Sequence, residues 1–176
     1  ARARAEGLGM RADVGIAERA DRLVAVLLAT GFVGLKWQTG FGLPEPALLT
    51  RVKAWGAKVL ASATTQDEAR WLEAHGADAV IAQGLEAGGH RGHFLSHDLT
   101  LQAGTFALLP QLVRAVRVPV IAAGGIADAA GVRAALALGA AGVQVGTAYL
   151  LCPEAATSAL HRAALQGHLD HPRPIA

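Results

Sequence analysis

The chain is short of several things at once. Among 176 residues it has one cysteine, one methionine, one tyrosine and 5% aromatic residues, and only 17% carry a charge. A single thiol, Cys152, closes no internal disulfide. The longest apolar stretch, Leu23 to Leu35, is shorter than the roughly 20 residues a membrane-crossing helix needs, so no membrane partner is expected. No basic start leads through an apolar segment to a small-residue cleavage site, which makes the cytoplasm the default compartment. Sixteen Lys+Arg against 14 Asp+Glu leave a net charge of +2, dispersed as single positions. A nucleic-acid surface needs a clustered basic stripe with aromatics to stack on bases, and the sequence has neither. The loose group Arg2, Arg4 and Arg11 reads as a solvated end. The first residue is Ala rather than Met, which fits a piece of something longer.

What is present is apolar material, 52% of the residues, with 21 glycines among it. That excludes intrinsic disorder and supplies one buried core. A unit recurs: a helical pattern ends in Gly-Ala and runs straight into a short apolar strand. It occurs at Trp55-Gly56-Ala57-Lys58-Val59-Leu60-Ala61, at His75 to Ala82 and at Leu138 to Val145. Glycine supplies the left-handed residue that closes each helix, and a strand apolar on both faces belongs to a parallel sheet under helices.

The helices have readable starts. Pro44-Glu45-Pro46 introduces a helix from Ala47 to Trp55, because proline is tolerated where the first amide has no helical acceptor. Thr64-Thr65-Gln66-Asp67-Glu68 offers a threonine cap with an acid three residues on, opening a helix to about His75. A further helix runs from about Thr105 to Val116 into a strand at Val118 to Ala122, and Asp128 caps Ala129 to Leu138. Trp55 and Trp71 lie on helices and are expected to pack against the sheet. The order is strand, helix, strand, helix throughout, about five units in a single α/β domain spanning 1–176. That leaves an open doubly wound sheet or a (β/α)8 barrel, and the chain is too short to close a barrel alone, which takes roughly 200 residues or more.

In both architectures ligands bind at the carboxyl ends of the strands. Three segments there are rich in glycine: Gln83 to Gly92, Ala123-Gly124-Gly125-Ile126, and Gly146-Thr147. The last two form adjacent turns whose amides suit a dianion, which points to a phosphate-bearing cofactor; glycines that merely permit tight turns are the plainer alternative. Gln83 and His90 share one long loop. Gly88, Gly89 and Gly92 around the imidazole let the backbone pass close to a flat ligand, and a histidine there can move a proton near neutral pH. Arg91 reads as a solvated side chain rather than an anion contact.

Other signals are weaker. His90, His93 and His97 with Asp98 have metal-like spacing that Gly92 interrupts, and no metal is expected. Gly7-Leu8-Gly9-Met10-Arg11-Ala12 matches a dinucleotide fingerprint by letters, with no strand before it. Cys152 reads as a packed small hydrophobe.

Val80 to Gly92, Pro119 to Ile126 and Gly139 to Leu150 together resemble the motifs of the nitronate monooxygenase family, formerly called 2-nitropropane dioxygenase. The similarity runs from about Gly40 to about Leu165. It implies an incomplete TIM-type (β/α)8 barrel, about the C-terminal five β/α units, truncated at both ends. It also implies FMN as cofactor and the oxidation of alkyl nitronates or nitroalkanes by O2 to a carbonyl compound and nitrite. Position by position, Gln83, Gly88 and Gly89 resemble flavin contacts. Gly124, Gly125, Gln144, Val145, Gly146 and Thr147 resemble the phosphate grip, His90 resembles the catalytic histidine, and Lys58 is expected to face the flavin ring. Against the family pattern, Phe32 to Phe41 is polar at Lys36 and Gln38, where an uninterrupted apolar strand is expected. The runner-up is a flavin-dependent enoyl-ACP reductase, which shares the stretch Glu86 to His90. A third reading is a barrel piece without chemistry of its own, existing as a fragment or a homo-oligomer.

Overall fold

Residues 59–63, 79–82 and 120–123 have no exposed position: each is covered on both faces, as strands of a parallel sheet must be. A computed structural model describes residues 24–27, 33–39 and 42–167. Six strands line up in chain order: β1 (Val24–Leu27), β2 (Val33–Thr39), β3 (Lys58–Ala63), β4 (Ala79–Gln83), β5 (Val120–Ala123) and β6 (Gly142–Gln144). Between and after them run the helices α1 (Pro46–Ala54), α2 (Gln66–Ala74), α3 (Thr105–Ala115), α4 (Ala129–Ala137) and α5 (Ala159–Gly167). Short 3-10 turns occupy Leu99–Leu101 and Thr147–Leu151.

From β2 to α5 the chain repeats strand and helix five times, and β2 to β6 are parallel neighbours. The expected alternation fails before β2, because β1 pairs with β2 in antiparallel register, Val24 opposite Lys36. Only residues 28–32 separate the two, fewer than a parallel crossover needs. The polar interruptions at Lys36 and Gln38 do not prevent β2 from forming.

Side-chain alternation along the strands builds two apolar layers. Ala61, Ala63, Val80, Ala82, Val120 and Ala122 face the helices and meet Leu72 of α2 and Leu108, Leu109 and Leu112 of α3. Leu60, Ala79, Ile81, Ile121 and Ala123 form a second cluster. The small residues of the first layer let α2 and α3 lie close on the sheet. Helix starts follow the sequence: Pro46 opens α1, and the Asp128 carboxylate accepts the Gly131 amide at 2.8 Å to cap α4. The three Gly-Ala junctions take the left-handed backbone, with φ +76 at Gly56, +99 at Gly76 and +96 at Gly139.

One packing expectation is corrected. Trp71 is partly buried against the core, beside Phe94 and stacked on His75. Trp55 is 54% exposed, because α1 ends at Ala54 and the ring extends from the turn into β3, beyond the face that Val52 buries. The fingerprint-like segment at Gly7 and the basic group at Arg2, Arg4 and Arg11 lie outside the described residues.

Candidate functional site

Parallel strands end together, so the segments after β4, β5 and β6 meet at one face. Their closeness appears in what extra atoms would strike. A Cβ on Gly84 would lie 2.0 Å from Thr105 Oγ1 and 2.3 Å from the Thr105 amide nitrogen. One on Gly124 (φ +121) would lie 2.7 Å from the Ala87 nitrogen. Only glycine permits these approaches. A Cβ on Gly125 would meet Glu86 Cβ at 3.2 Å, and one on Gly88 would stand 3.7 Å from Thr147 Oγ1. The loop after β4 is therefore packed between the turns after β5 and β6.

Those two turns offer donors. The amides of Gly124, Gly125, Gly146 and Thr147 have no protein acceptor among the described residues. No side chain caps the 3-10 turn that Gly146 opens, and nothing lies within 4 Å of where a Gly146 Cβ would be. The Gln144 side-chain oxygen is buried and lacks a hydrogen-bond partner. Unpartnered amides, an unpartnered buried carboxamide oxygen and open space fit a phosphate-bearing ligand with polar groups of its own.

The loop itself is tied down on all sides. Gln83, the last residue of β4, donates from Nε2 to the His90 carbonyl at 3.0 Å, and its Oε1 accepts the Gly92 amide at 2.6 Å. Arg91, read from sequence as a solvated side chain, turns inward to the carbonyls of Gly84 and Leu85. Its charge is worth more there because two carbonyl dipoles converge on one fork. His90 is exposed on this loop, which approaches Thr147 at Gly88 and Gly125 at Glu86.

Lys58 is not part of this end. It is the first residue of β3, about 16 Å from the carboxyl end at ~3.3 Å per residue, and it pairs with Asp78 at 3.7 Å. The expectation that Lys58 faces a flavin ring is corrected: Asp78 fastens the amino end of the sheet through Lys58, Lys53 and the Val59 amide. The metal-like spacing also resolves otherwise. His93 and His97 meet edge to face, and Asp98 accepts the Thr100 amide and hydroxyl. Among the described residues no three His, Cys, Asp or Glu side chains converge. Cys152 is half-buried, and its carbonyl accepts from Arg162.

Two carboxylates escaped sequence reasoning. Glu86 Oε2 accepts the Thr105 amide at 2.8 Å and the Thr105 hydroxyl at 2.9 Å, capping α3 from the loop. Partial burial pushes its carboxyl up. Hydrogen bonds from the Thr105 amide, its own amide and the Thr105 hydroxyl, with the charge of Arg91, outweigh that and hold it below the usual range. Glu68, 1% exposed, carries the expected cap, its amide donating to Thr65 Oγ1. Its carboxylate does not return to Thr65; it accepts from Thr64 and from the amides of Phe94 and Leu95. The acid three residues after the cap was the one visible signal, and it pointed to a local bond.

The nitronate monooxygenase family profile matches residues 9–170. A nitronate monooxygenase of Pseudomonas aeruginosa is 51% identical over 127 residues, 72% of this chain and 36% of that protein. A probable nitronate monooxygenase of Staphylococcus aureus is 49% identical over 126 residues, 71% of this chain and 36% of that one. The chain thus spans about a third of the length of these relatives. Among solved structures, nitroalkane oxidase from Streptomyces ansochromogenes superposes with a TM-score of 0.70 at 42% identity, over 75% of this chain and 38% of that one. The M276A variant of FabK from Thermotoga maritima gives 0.62 at 39% identity, over 74% and 41%. The five β/α units are an incomplete TIM-type barrel, and the chain belongs to the nitronate monooxygenase family.

Proposed function

We propose that this chain forms the cofactor-holding part of a nitronate monooxygenase, an enzyme that oxidises alkyl nitronates with O2 to a carbonyl compound and nitrite. One observation carries the reading: the unpartnered amides of Gly124, Gly125, Gly146 and Thr147 sit on adjacent turns at the carboxyl ends of β5 and β6. That is where a barrel holds a phosphate. The ligand is FMN in this reading; the four amides would hold its phosphate, with Gln144 and Val145 beside them at the end of β6. The glycines at 88 and 89 let the loop approach a flat ring. FMN held there would supply the redox chemistry between the nitronate and O2.

The protein's own part is binding and proton transfer. His90 removes the proton beside the nitro group of a neutral nitroalkane, or holds the anionic nitronate through a hydrogen bond. Gln83, its side-chain amide spent on the loop backbone, serves the flavin by shaping the loop edge that passes it. The substrates are small molecules, the 176 residues act as one α/β domain, and the location is the cytoplasm.

Purified chain mixed with FMN is expected to stay yellow after desalting and to release nitrite from an alkyl nitronate. Retained flavin with no nitrite, but NADH oxidation by an enoyl thioester, would replace this reading with flavin-dependent enoyl reduction. Colourless protein would leave a barrel piece without chemistry of its own.

A further inference from the structure

The loop that carries His90 has little of its own to hold it. Gly84 to Arg91 includes glycines at 84, 88 and 89, and its one large apolar side chain, Leu85, is 46% exposed. A stretch of this kind gives up much conformational freedom when fixed and gains little core contact in return. Its order has to come from hydrogen bonds: the Leu85 amide donates to the Ala103 carbonyl at 3.1 Å, Glu86 accepts from Thr105, and Arg91 closes the loop on itself. Nη1 donates to the Gly84 carbonyl at 2.6 Å, and Nη2 donates to the Leu85 carbonyl at 2.9 Å, with the Ala87 carbonyl at 3.5 Å. The last residue of the loop thus grips the first two. The same Gly84 carbonyl accepts the Ala87 amide at 3.1 Å, so the guanidinium reinforces the tight turn that begins the loop.

We propose that Arg91 is a positioning residue: by folding Gly84 to His90 back on itself, it fixes the backbone from which the His90 side chain projects. This rests on the reading of His90 as the group that meets the substrate. Gln83 pins the His90 carbonyl from one side and Arg91 is covalently next to it on the other, so the backbone is held on both flanks of His90. A guanidinium suits the task because its planar fork reaches two carbonyls at once, whereas an ammonium is a single point. Turned toward the loop carbonyls, the side chain acts on the loop and not on an anion arriving from solvent.

The test compares the 176-residue chain with Arg91→Lys and Arg91→Ala, before any substrate is added. Hydrogen exchange is read at the amides of Ala87 and Gly92, which donate to the Gly84 carbonyl and to Gln83 Oε1. Both variants are expected to exchange about tenfold faster or more at these two amides, while amides of α2 and α3 keep their protection. Lysine retains the charge and lacks the fork, so it does not restore protection, and it also covers the case in which the alanine variant fails to fold. Guanidinium ion added to Arg91→Ala at millimolar levels slows the exchange, and sodium chloride at equal ionic strength does not. After FMN loading, the variants are expected to retain flavin as the parent does and to lose about 100-fold in kcat on neutral nitroalkanes, with KM changed far less. Parent-like exchange at Ala87 and Gly92 in both variants overturns the proposal, as does full protection in Arg91→Lys. A parent chain that releases no nitrite defeats the functional reading alone, since the exchange result is obtained without substrate.

Discussion

The carboxylate of Glu68 accepts the backbone amide of Phe94 at 2.7 Å, across 26 residues of chain. It joins the start of α2 to the segment that follows the His90 loop, and Glu68 itself is only 1% exposed.

Glu68→Ala leaves the amides of Thr64, Phe94 and Leu95 and the Thr64 hydroxyl without their acceptor. Each buried donor left unpaired costs about 1–3 kcal/mol, so the variant is expected to lose at least ~3 kcal/mol in urea unfolding. A loss below ~1 kcal/mol would show that water replaces the carboxylate at no cost.

Gly84→Ala and Gly146→Asp are expected to behave in opposite ways. The first drives a methyl to 2.3 Å from the backbone of α3 and should cost about 3 kcal/mol or more. The second enters open space at φ −113 and should leave stability within ~0.5 kcal/mol. A carboxylate placed beside the amides of the β6 turn should nevertheless abolish FMN retention. Unchanged flavin affinity in a folded Gly146→Asp would remove the phosphate from this turn.

Glu86 sets an acid limb of stability. Its carboxyl titrates lower in the folded chain than in the unfolded one. Its contribution is therefore complete above the unfolded value of about 4.3 and fades as pH falls through the folded value. The stability gap between the parent and Glu86→Gln should narrow from pH 6 toward pH 3. A gap that widens on acidification would contradict the assignment.

His90→Ala is expected to keep FMN and to lose ~10²-fold or more in turnover of neutral nitroalkanes. Preformed nitronates, which need no proton removed, should be affected less. Equal losses on both substrates would argue against His90 as a base.

Much of this was legible in the order of residues. Short apolar runs, proline at a helix start, Asp128 as a cap and the Gly-Ala closures depend on neighbours a few positions away, and each formed as read. The glycine-bearing turns after β5 and β6 were visible as well, since parallel strands must end at one face. The antiparallel pairing of β1 was not visible, because the repeat of strand and helix says nothing of a strand that precedes it.

The sequence by itself determined the elements, their alternation from β2 onward and the face at which a ligand could bind, because backbone preference and apolar period are local properties. The tertiary structure decided what the charged side chains do where their partners are distant in the chain. Lys58 went to the amino end, Arg91 turned inward, and Glu86 and Glu68 found amides 19 and 26 residues away. A long flexible side chain is compatible with many partners in sequence, and only packing of the strands brings one set of donors and acceptors within reach.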